Sequence, residues 1–504
     1  MAVVKPRITK IRRTVFTEVA RLAYEGGDYS RIENLPYKIL PGETESYRDS
    51  IFLERAIIAE RIRLAMGLPA RGYTTYAPVS DGVNESAIAN KFYDPPLVNI
   101  IKFACNRCPE KTVTVTDACR NCLARSCEAV CPADAVSTKD KKAVIDEAKC
   151  IKCGKCVSAC AYHAIIKQER PCAASCGVNA MKSDDKGRAS IDRTKCVSCG
   201  MCIVNCPFGA IADKGQIFQL IHAIKSGVAV YAAVAPSFVG QYRLGADFRK
   251  LRTALKILGF KDALKVAVGA DLSAVDEAER FIKEVPDEIP FMATSCCPAW
   301  ASMARKNFPE IENTISMSLT PMVITARLLK KKFPDCKVVF VGPCSAKKLE
   351  ASRASVRSDV DFVLTFEELL GMMDACGIID TSALEPETEE QIFPASQGGK
   401  AFAKSGKVAD AIIEVIKAKH PTRGIKTARA EGLAECKKLL FMAKAGKYNG
   451  YLLEGMACPG GCLGGAGVIA TVEKSSVMLQ KYCDEEEMKI ASENPLVSNL
   501  DNLD

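Results

Sequence analysis

Sixteen of the chain's 25 cysteines fall between residues 105 and 206, whereas residues 1–100 hold none and residues 207–504 hold nine. Thiols at that density are not ordinary core packing. Disulfides would need an oxidising compartment, yet the N-terminus offers Arg7, Lys10, Arg12 and Arg13 without the apolar stretch of a secretory leader. The reading that remains is thiolate ligands to metal in a reducing cytoplasm. No run approaches the ~18 apolar residues of a membrane span. With 504 residues the chain has length for about three domains, and the cysteines divide it. Residues 1–100 read as a mostly helical region of unread role, with helical apolar spacing around 51–66 and a loop-rich stretch near 72–96. Residues 101–212 and 213–504 follow as second and third domains.

Within the second domain, Cys150, Cys153, Cys156 and Cys160, and again Cys196, Cys199, Cys202 and Cys206 before Pro207, have the ferredoxin spacing. In that run three close thiolates hold one iron–sulfur cubane and the fourth reaches to another. Cys119, Cys122, Cys127 and Cys131 form a variant with a longer middle gap. The crossing rule groups Cys119, Cys122 and Cys127 with Cys160, and Cys150, Cys153 and Cys156 with Cys131. Cys196, Cys199 and Cys202 take Cys176, leaving Cys105, Cys108, Cys172 and Cys206 for a fourth cubane. The alternative is that Cys105, Cys108, Cys172 and Cys176 are structural, or bind zinc as two separated pairs. The formal charge is +9. A cubane with its four thiolates carries about −2, so four of them would leave roughly +1, and nucleic-acid binding is not implied.

From residue 228 onward short apolar runs alternate with amphipathic stretches. Runs at 228–235, 265–268, 289–293, 337–341, 361–364 and 451–453 read as strands, and 274–283 and 322–332 as helices. That alternation predicts parallel sheets covered by helices, an α/β catalytic domain after a ferredoxin-like α+β multi-cluster domain. Three of the runs lead straight into cysteine motifs: Thr294-Ser295-Cys296-Cys297-Pro298-Ala299-Trp300, Pro343-Cys344-Ser345-Ala346-Lys347-Lys348-Leu349-Glu350, and Glu454-Gly455-Met456-Ala457-Cys458-Pro459-Gly460-Gly461-Cys462. Turns at the carboxyl ends of parallel strands are where such sheets bind ligands.

In order and character the three motifs resemble the signatures of the iron-only (FeFe) hydrogenases, over roughly residues 210–470. The resemblance implies reversible reduction of protons to dihydrogen at an active-site cubane joined to a two-iron subsite with CO, cyanide and a bridging dithiolate. It implies electrons from ferredoxin or a similar carrier, relayed through the 4Fe–4S clusters, and maturation proteins that supply the subsite. Cys297, Cys344, Cys458 and Cys462 align with the cubane's thiolates. Cys296 aligns with the proton donor and acceptor, a general acid/base role for a thiol. Lys347 matches the lysine that contacts a cyanide, and Pro236 and Ser237 match a loop walling the pocket. Met456 keeps a family methionine.

Some positions depart from the pattern. Gly342 and Met322 stand where many members have methionine and glutamine. Glu277 falls near the first carboxylate of the proton relay, Ser316 near its serine, and Arg280 at the place of the second carboxylate with Glu279 beside it. These departures resemble a divergent, monomeric branch of the family. Cys336, Cys376, Cys436 and Cys483 lack ligand spacing and read as buried structural thiols. No dinucleotide fingerprint appears, which argues against direct use of a nicotinamide. Two readings stand beside the enzyme: a hydrogen-sensing regulatory protein of low turnover, and an iron–sulfur assembly protein.

Overall fold

The computed structural model describes residues 7–502 apart from 73, 93, 244 and 389–392. Two small parallel sheets organise the C-terminal part. The first runs Asp262–Lys265, Val230–Val234, Lys337–Gly342, Phe362–Thr365, with every neighbouring pair parallel. The second runs Met292–Ala293, Tyr451–Met456, Lys426–Glu431. Val230–Val234 and Phe362–Thr365 are buried throughout, which is why they read as unbroken apolar runs rather than alternating ones. Helix Pro321–Lys332 packs on Val230–Val234 and Lys337–Gly342, and helix Phe366–Ala375 on Lys337–Gly342 and Phe362–Thr365. Parallel strands bring their carboxyl ends to one edge, so the segments following Val234, Lys265, Ala293, Gly342 and Met456 can meet there.

Two elements differ from the sequence expectation. The run at 265–268 is not a strand: the strand is Asp262–Lys265, and Ala267 opens the helix Ala267–Glu284. A short apolar run looks the same in a buried strand and a buried helical turn. The strand Lys426–Glu431 was invisible because its charged residues, at the sheet's edge, are exposed or half-exposed.

Residues 98–213 build antiparallel two-stranded pairs. Thr112–Val115 pairs with Ile165–Gln168, Val136–Lys139 with Lys142–Ile145, Met181–Ser183 with Ala189–Ile191, and Val98–Ile100 with Ile211–Asp213. Short helices follow the cysteine turns, as at Lys155–Ala159 and Met201–Val204. The first two pairs close over an apolar knot of Val113, Val136, Ala143 and Ile165 in which six cysteines take part. So few apolar side chains leave much of the folding energy to be supplied by metal.

The N-terminal helix Arg7–Glu25 buries Val15, Phe16, Val19 and Leu22 in the same core as helix Ile217–Lys225 and the four-stranded sheet. It lies along helix Phe366–Ala375, where Gly371 leaves no room for a Cβ against Phe16. Arg12 and Arg13, part of the basic N-terminus, pair with the buried Glu367 at 2.5 and 3.3 Å. Glu54 accepts the backbone N–H groups of Ser46 and Arg48 at 2.8 and 2.7 Å. Arg48 in turn donates to the carbonyls of Ala104 and Phe208, at 2.8 and 3.2 Å. The first hundred residues therefore brace both later regions.

Candidate active site and cluster relay

At the shared carboxyl edge of the two sheets lies a cavity of about 840 Å³, a volume that includes its open mouth. Cys297, Cys344, Cys458 and Cys462 line it together with Cys296 and Lys347. Pro236, Ser237, Met322 and Met456 are also in its walls. Gly342 does not reach the wall: a Cβ there would meet the ring of Phe340, and it is Phe340 that lines the cavity. The glycine therefore leaves no hole, because an aromatic ring two residues earlier fills the space.

Local structure explains how the thiols are presented. Cys297 and Cys344 are the residues before helices Pro298–Asn307 and Ser345–Glu350, with extended backbones that turn their side chains out of the strand direction. The backbone N–H groups of Ala346 and Lys347 bond the Cys344 sulfur. Glycine is required at 455 because a Cβ would enter the ring of Trp300, whose Nε1 donates to the Thr294 carbonyl at 2.9 Å. Gly465 and Gly467 likewise let the loop after Cys462 press on Pro343. The only tryptophan thus locks two of the three motifs together.

The electrostatics are those of a dry pocket. Burial pushes Cys344 up to about 11, Cys462 up to about 12, and Cys296 and Cys458 well above the usual thiol range. Thiols this hard to ionise become thiolates when metal charge is present. Glu277 follows burial as the largest influence on Cys296. Burial raises Glu277 itself to about 7, against a hydrogen bond from Ser316 and one from the Ser295 N–H at 3.2 Å. Its second oxygen has no partner, and neither has the buried Ser237 hydroxyl on the cavity wall. Lys347 forms an ion pair with Glu350 at 2.7 Å that lies off hydrogen-bond geometry, so its ammonium keeps donors unspent. Four thiols, a cation and an unsatisfied hydroxyl around one apolar cavity fit an anionic thiolate-bound cluster.

Other predicted relay residues lie elsewhere. Glu279 is exposed and ion-paired with Lys419, and Arg280 holds Glu284 at 2.9 Å one turn along the helix. Two residues along an α-helix is a rotation of ~200°, so Glu277 and Glu279 cannot face one site. Among the remaining thiols, Cys336, Cys436 and Cys483 are buried, but Cys376 is exposed at the end of its helix, against the expectation of burial. Its position after the last apolar turn of Phe366–Ala375 puts it beyond the core.

In the cysteine-rich region one backbone geometry recurs. The residue two after Cys105, Cys119, Cys150 and Cys196 has a positive φ: Arg107, Asn121, Lys152 and Ser198, between 48° and 56°. The residue three after Cys131, Cys160, Cys176 and Cys206 does too: Asp134, His163, Asn179 and Gly209. In each of these last four turns the sulfur accepts the N–H four residues on, at 3.2 to 3.4 Å. Non-glycine residues adopt this conformation rarely, so its repetition marks equivalent turns. Cys105 and Cys176, which lack full motifs in sequence, thus join the two classes. Cys176, Cys196, Cys199 and Cys202 line one small cavity, and Cys105, Cys108, Cys172 and Cys206 another. Among the described residues no three His, Cys, Asp or Glu side chains converge on a single-ion site; the thiols stand around open volumes instead.

Several contacts around the Cys344 motif could not be read from the sequence. Lys348 Nζ donates to Asp213 Oδ2 at 2.9 Å, to Glu368 Oε1 at 2.8 Å and to the Lys214 carbonyl at 3.0 Å. The Ser345 hydroxyl joins Asp213 at 2.9 Å. This buried network ties the end of the cysteine-rich region to the Cys344 motif. Glu350, three residues after Lys347, could have been found from helical spacing.

Residues 228–466 match the family described as "Iron only hydrogenase large subunit, C-terminal domain", and residues 142–165 and 188–211 match "4Fe-4S binding domain". The chain is 29% identical over 447 residues to iron hydrogenase 1 of Clostridium pasteurianum, covering 77% of this chain and 75% of that protein. It is 29% identical over 260 residues to the periplasmic [Fe] hydrogenase large subunit of Nitratidesulfovibrio vulgaris, 43% of this chain and 62% of the relative. It is also 27% identical over 328 residues to a cytosolic Fe-S cluster assembly factor of Danio rerio, 54% of this chain and 79% of that one. Among the described residues no helix is long and apolar enough to cross a membrane. With a 4Fe–4S binding domain matched ahead of it, the region from residue 228 to 466 is similar to the C-terminal domain of the iron-only hydrogenase large subunit.

Proposed function

We propose that this protein is a hydrogenase interconverting protons, electrons and dihydrogen, with electrons exchanged with a ferredoxin-type carrier. The observation that carries it is Cys296, a thiol left over in a cavity where Cys297, Cys344, Cys458 and Cys462 suffice for a cubane and Cys199 belongs to the neighbouring cysteine group, next to a carboxylate that titrates near neutrality. Bound there, a cubane with its two-iron subsite would supply the redox and hydrogen chemistry. Cys297, Cys344, Cys458 and Cys462 hold it. Lys347 and the Ser237 hydroxyl offer a charge and a donor to its anionic ligands. The Cys296 sulfur holds a proton at the wall, and Glu277, with Ser316 donating to it, takes and returns that proton. Apolar walls, among them Met322, Phe340 and Met456, keep bulk water out. The sixteen N-terminal thiols hold four cubanes, and maturation proteins supply the subsite.

A role in cluster assembly is the second reading, favoured by the identity to the Danio rerio factor. Exchange between D2 and water protons separates the two, because it needs the catalytic site but no electron carrier. Protein loaded with the subsite should catalyse it, and Cys296→Ala should abolish it. Loaded protein with no exchange would leave the assembly reading standing.

A further inference from the structure

The four thiol groups fall in a sequence from the catalytic cavity outward. Cys199 itself lines that cavity, so its group is innermost. The group of Cys105, Cys108, Cys172 and Cys206 comes next, with Cys172 close enough to influence Cys202. Arg170, just before Cys172, donates to the Cys108 carbonyl at 3.0 Å and continues the strand Ile165–Gln168. Against Lys167 of that strand lies Gly154, in the turn of Cys150, Cys153 and Cys156. The turn of Cys119, Cys122 and Cys127 packs instead on the hairpin Val136–Ile145, where the Ala143 N–H bonds the Cys119 sulfur at 3.5 Å. It is the far end of the relay.

Charge changes along this sequence. The inner segments 172–179 and 196–206 contain no charged residue. The outermost loop carries exposed Arg120 and Arg125, and the hairpin turn beside it carries exposed Lys139 and Lys141 with exposed Asp140 between them, a net excess of cations. Loop and hairpin are held together by Lys142 on Asp117 at 2.6 Å and by the Thr138 hydroxyl on Glu128. Between Arg120 and Arg125 in the chain, next to Cys122, Leu123 is 98% exposed. A lone exposed leucine is ordinary on a protein surface; here it adjoins the cluster ligand Cys122 in a loop that carries two exposed arginines, and that combination suits a docking surface.

We propose that the surface formed by Leu123, Arg120, Arg125, Lys139 and Lys141 is where the electron carrier docks, and that the carrier is a small acidic iron–sulfur protein with carboxylates around an apolar rim. This rests on the relay reading above and specifies its entry point. One electron leaves the reduced carrier and reduces the 4Fe–4S group held by Cys119, Cys122, Cys127 and Cys160; no bond forms or breaks and no proton moves. Opposite charges steer the encounter and Leu123 supplies the desolvated centre of a transient contact.

The test uses full-length protein carrying its 4Fe–4S clusters but not the two-iron subsite, so that its outcome is independent of hydrogenase activity. The readout is bleaching of the clusters' visible absorbance after anaerobic mixing with a reduced acidic bacterial ferredoxin, or with reduced methyl viologen as a small cationic donor. Ferredoxin-driven reduction should slow at least tenfold between about 50 mM and about 500 mM salt. Arg120→Glu, Arg125→Glu, Lys139→Glu and Lys141→Glu combined should slow it about tenfold or more, while viologen-driven reduction is retained. Lys149→Glu with Lys155→Glu, on the neighbouring cysteine turn, should change little, and Leu123→Ala should slow ferredoxin alone. A salt-independent rate in the unaltered protein overturns the proposal. So does an unchanged rate in the fourfold variant, or a larger loss from the Lys149 and Lys155 pair.

Discussion

Cys199, in the stretch that matches a 4Fe–4S binding domain, and Cys344, in the stretch that matches the iron-only hydrogenase large subunit, line one cavity. The turns that carry them press together: a Cβ on Gly200 would stand 2.6 Å from Ala466 and 3.2 Å from the Ser345 hydroxyl, and Gly200 has φ +82°. The group of Cys176, Cys196, Cys199 and Cys202 thus abuts the wall of the cavity.

Gly200→Ala should strain that contact twice, through its φ and through the clash. A loss of about 1–3 kcal/mol in stability is expected, read as a lower thermal midpoint. Carrier-driven dihydrogen production should fall more than D2 exchange, because the first needs electrons to cross this junction and the second does not. Equal falls in both would mean that the junction does not carry the electrons.

In the proposed function Cys296 and Cys297, adjacent in sequence, have different tasks. Cys296→Ala should remove most turnover in both directions, with iron content unchanged. Cys297→Ala should lose iron from the catalytic domain. Iron analysis and turnover on the same preparations distinguish them, and near-normal turnover by iron-replete Cys296→Ala would show that this thiol is not the proton donor.

Glu277 sets a pH dependence. Its folded value is about 7 against an ordinary 4.5, so the native state keeps a proton that the unfolded chain has lost between those values. Its contribution to stability is full below about pH 4.5 and declines as pH rises to about 7, by at most about 3 kcal/mol. Glu277 carries the proton that replenishes Cys296 only below about pH 7, so proton reduction should weaken above it. Glu277→Gln should slow turnover at least tenfold, erase the inflection near neutrality and leave the protein at least as stable at pH 8 as the unaltered chain. A pH profile unchanged by Glu277→Gln would remove this residue from the proton route.

Glu279→Gln and Arg280→Gln should leave turnover within about twofold of normal. Exposed ion pairs such as Glu279–Lys419 are worth ~1 kcal/mol or less, and neither residue faces the cavity. A tenfold loss in Glu279→Gln, with Glu277→Gln near normal, would place the route on the outer face of the helix.

Local features were legible in the sequence. The spacing of Cys150 to Cys160 and the three strand-to-motif junctions are short-range, and a parallel sheet forces their meeting once the strands form. Features that depend on distant packing were not. Phe340 filling the space of Gly342 follows from the rotation of one ring; Lys348 finds Asp213 and Glu368 only when two domains close; and Glu279 is separated from Glu277 by helical rotation that a guess at the relay's spacing overlooked. The exposed Leu123 has no pattern at all until its surroundings are built.

Dihydrogen evolution from reduced ferredoxin, measured with iron content on one anaerobic preparation, tests the whole account most directly. Four cubanes and a six-iron active site predict about 22 irons per chain together with sustained evolution of dihydrogen. A preparation with that iron, including the two-iron subsite, and no dihydrogen in either direction would contradict it.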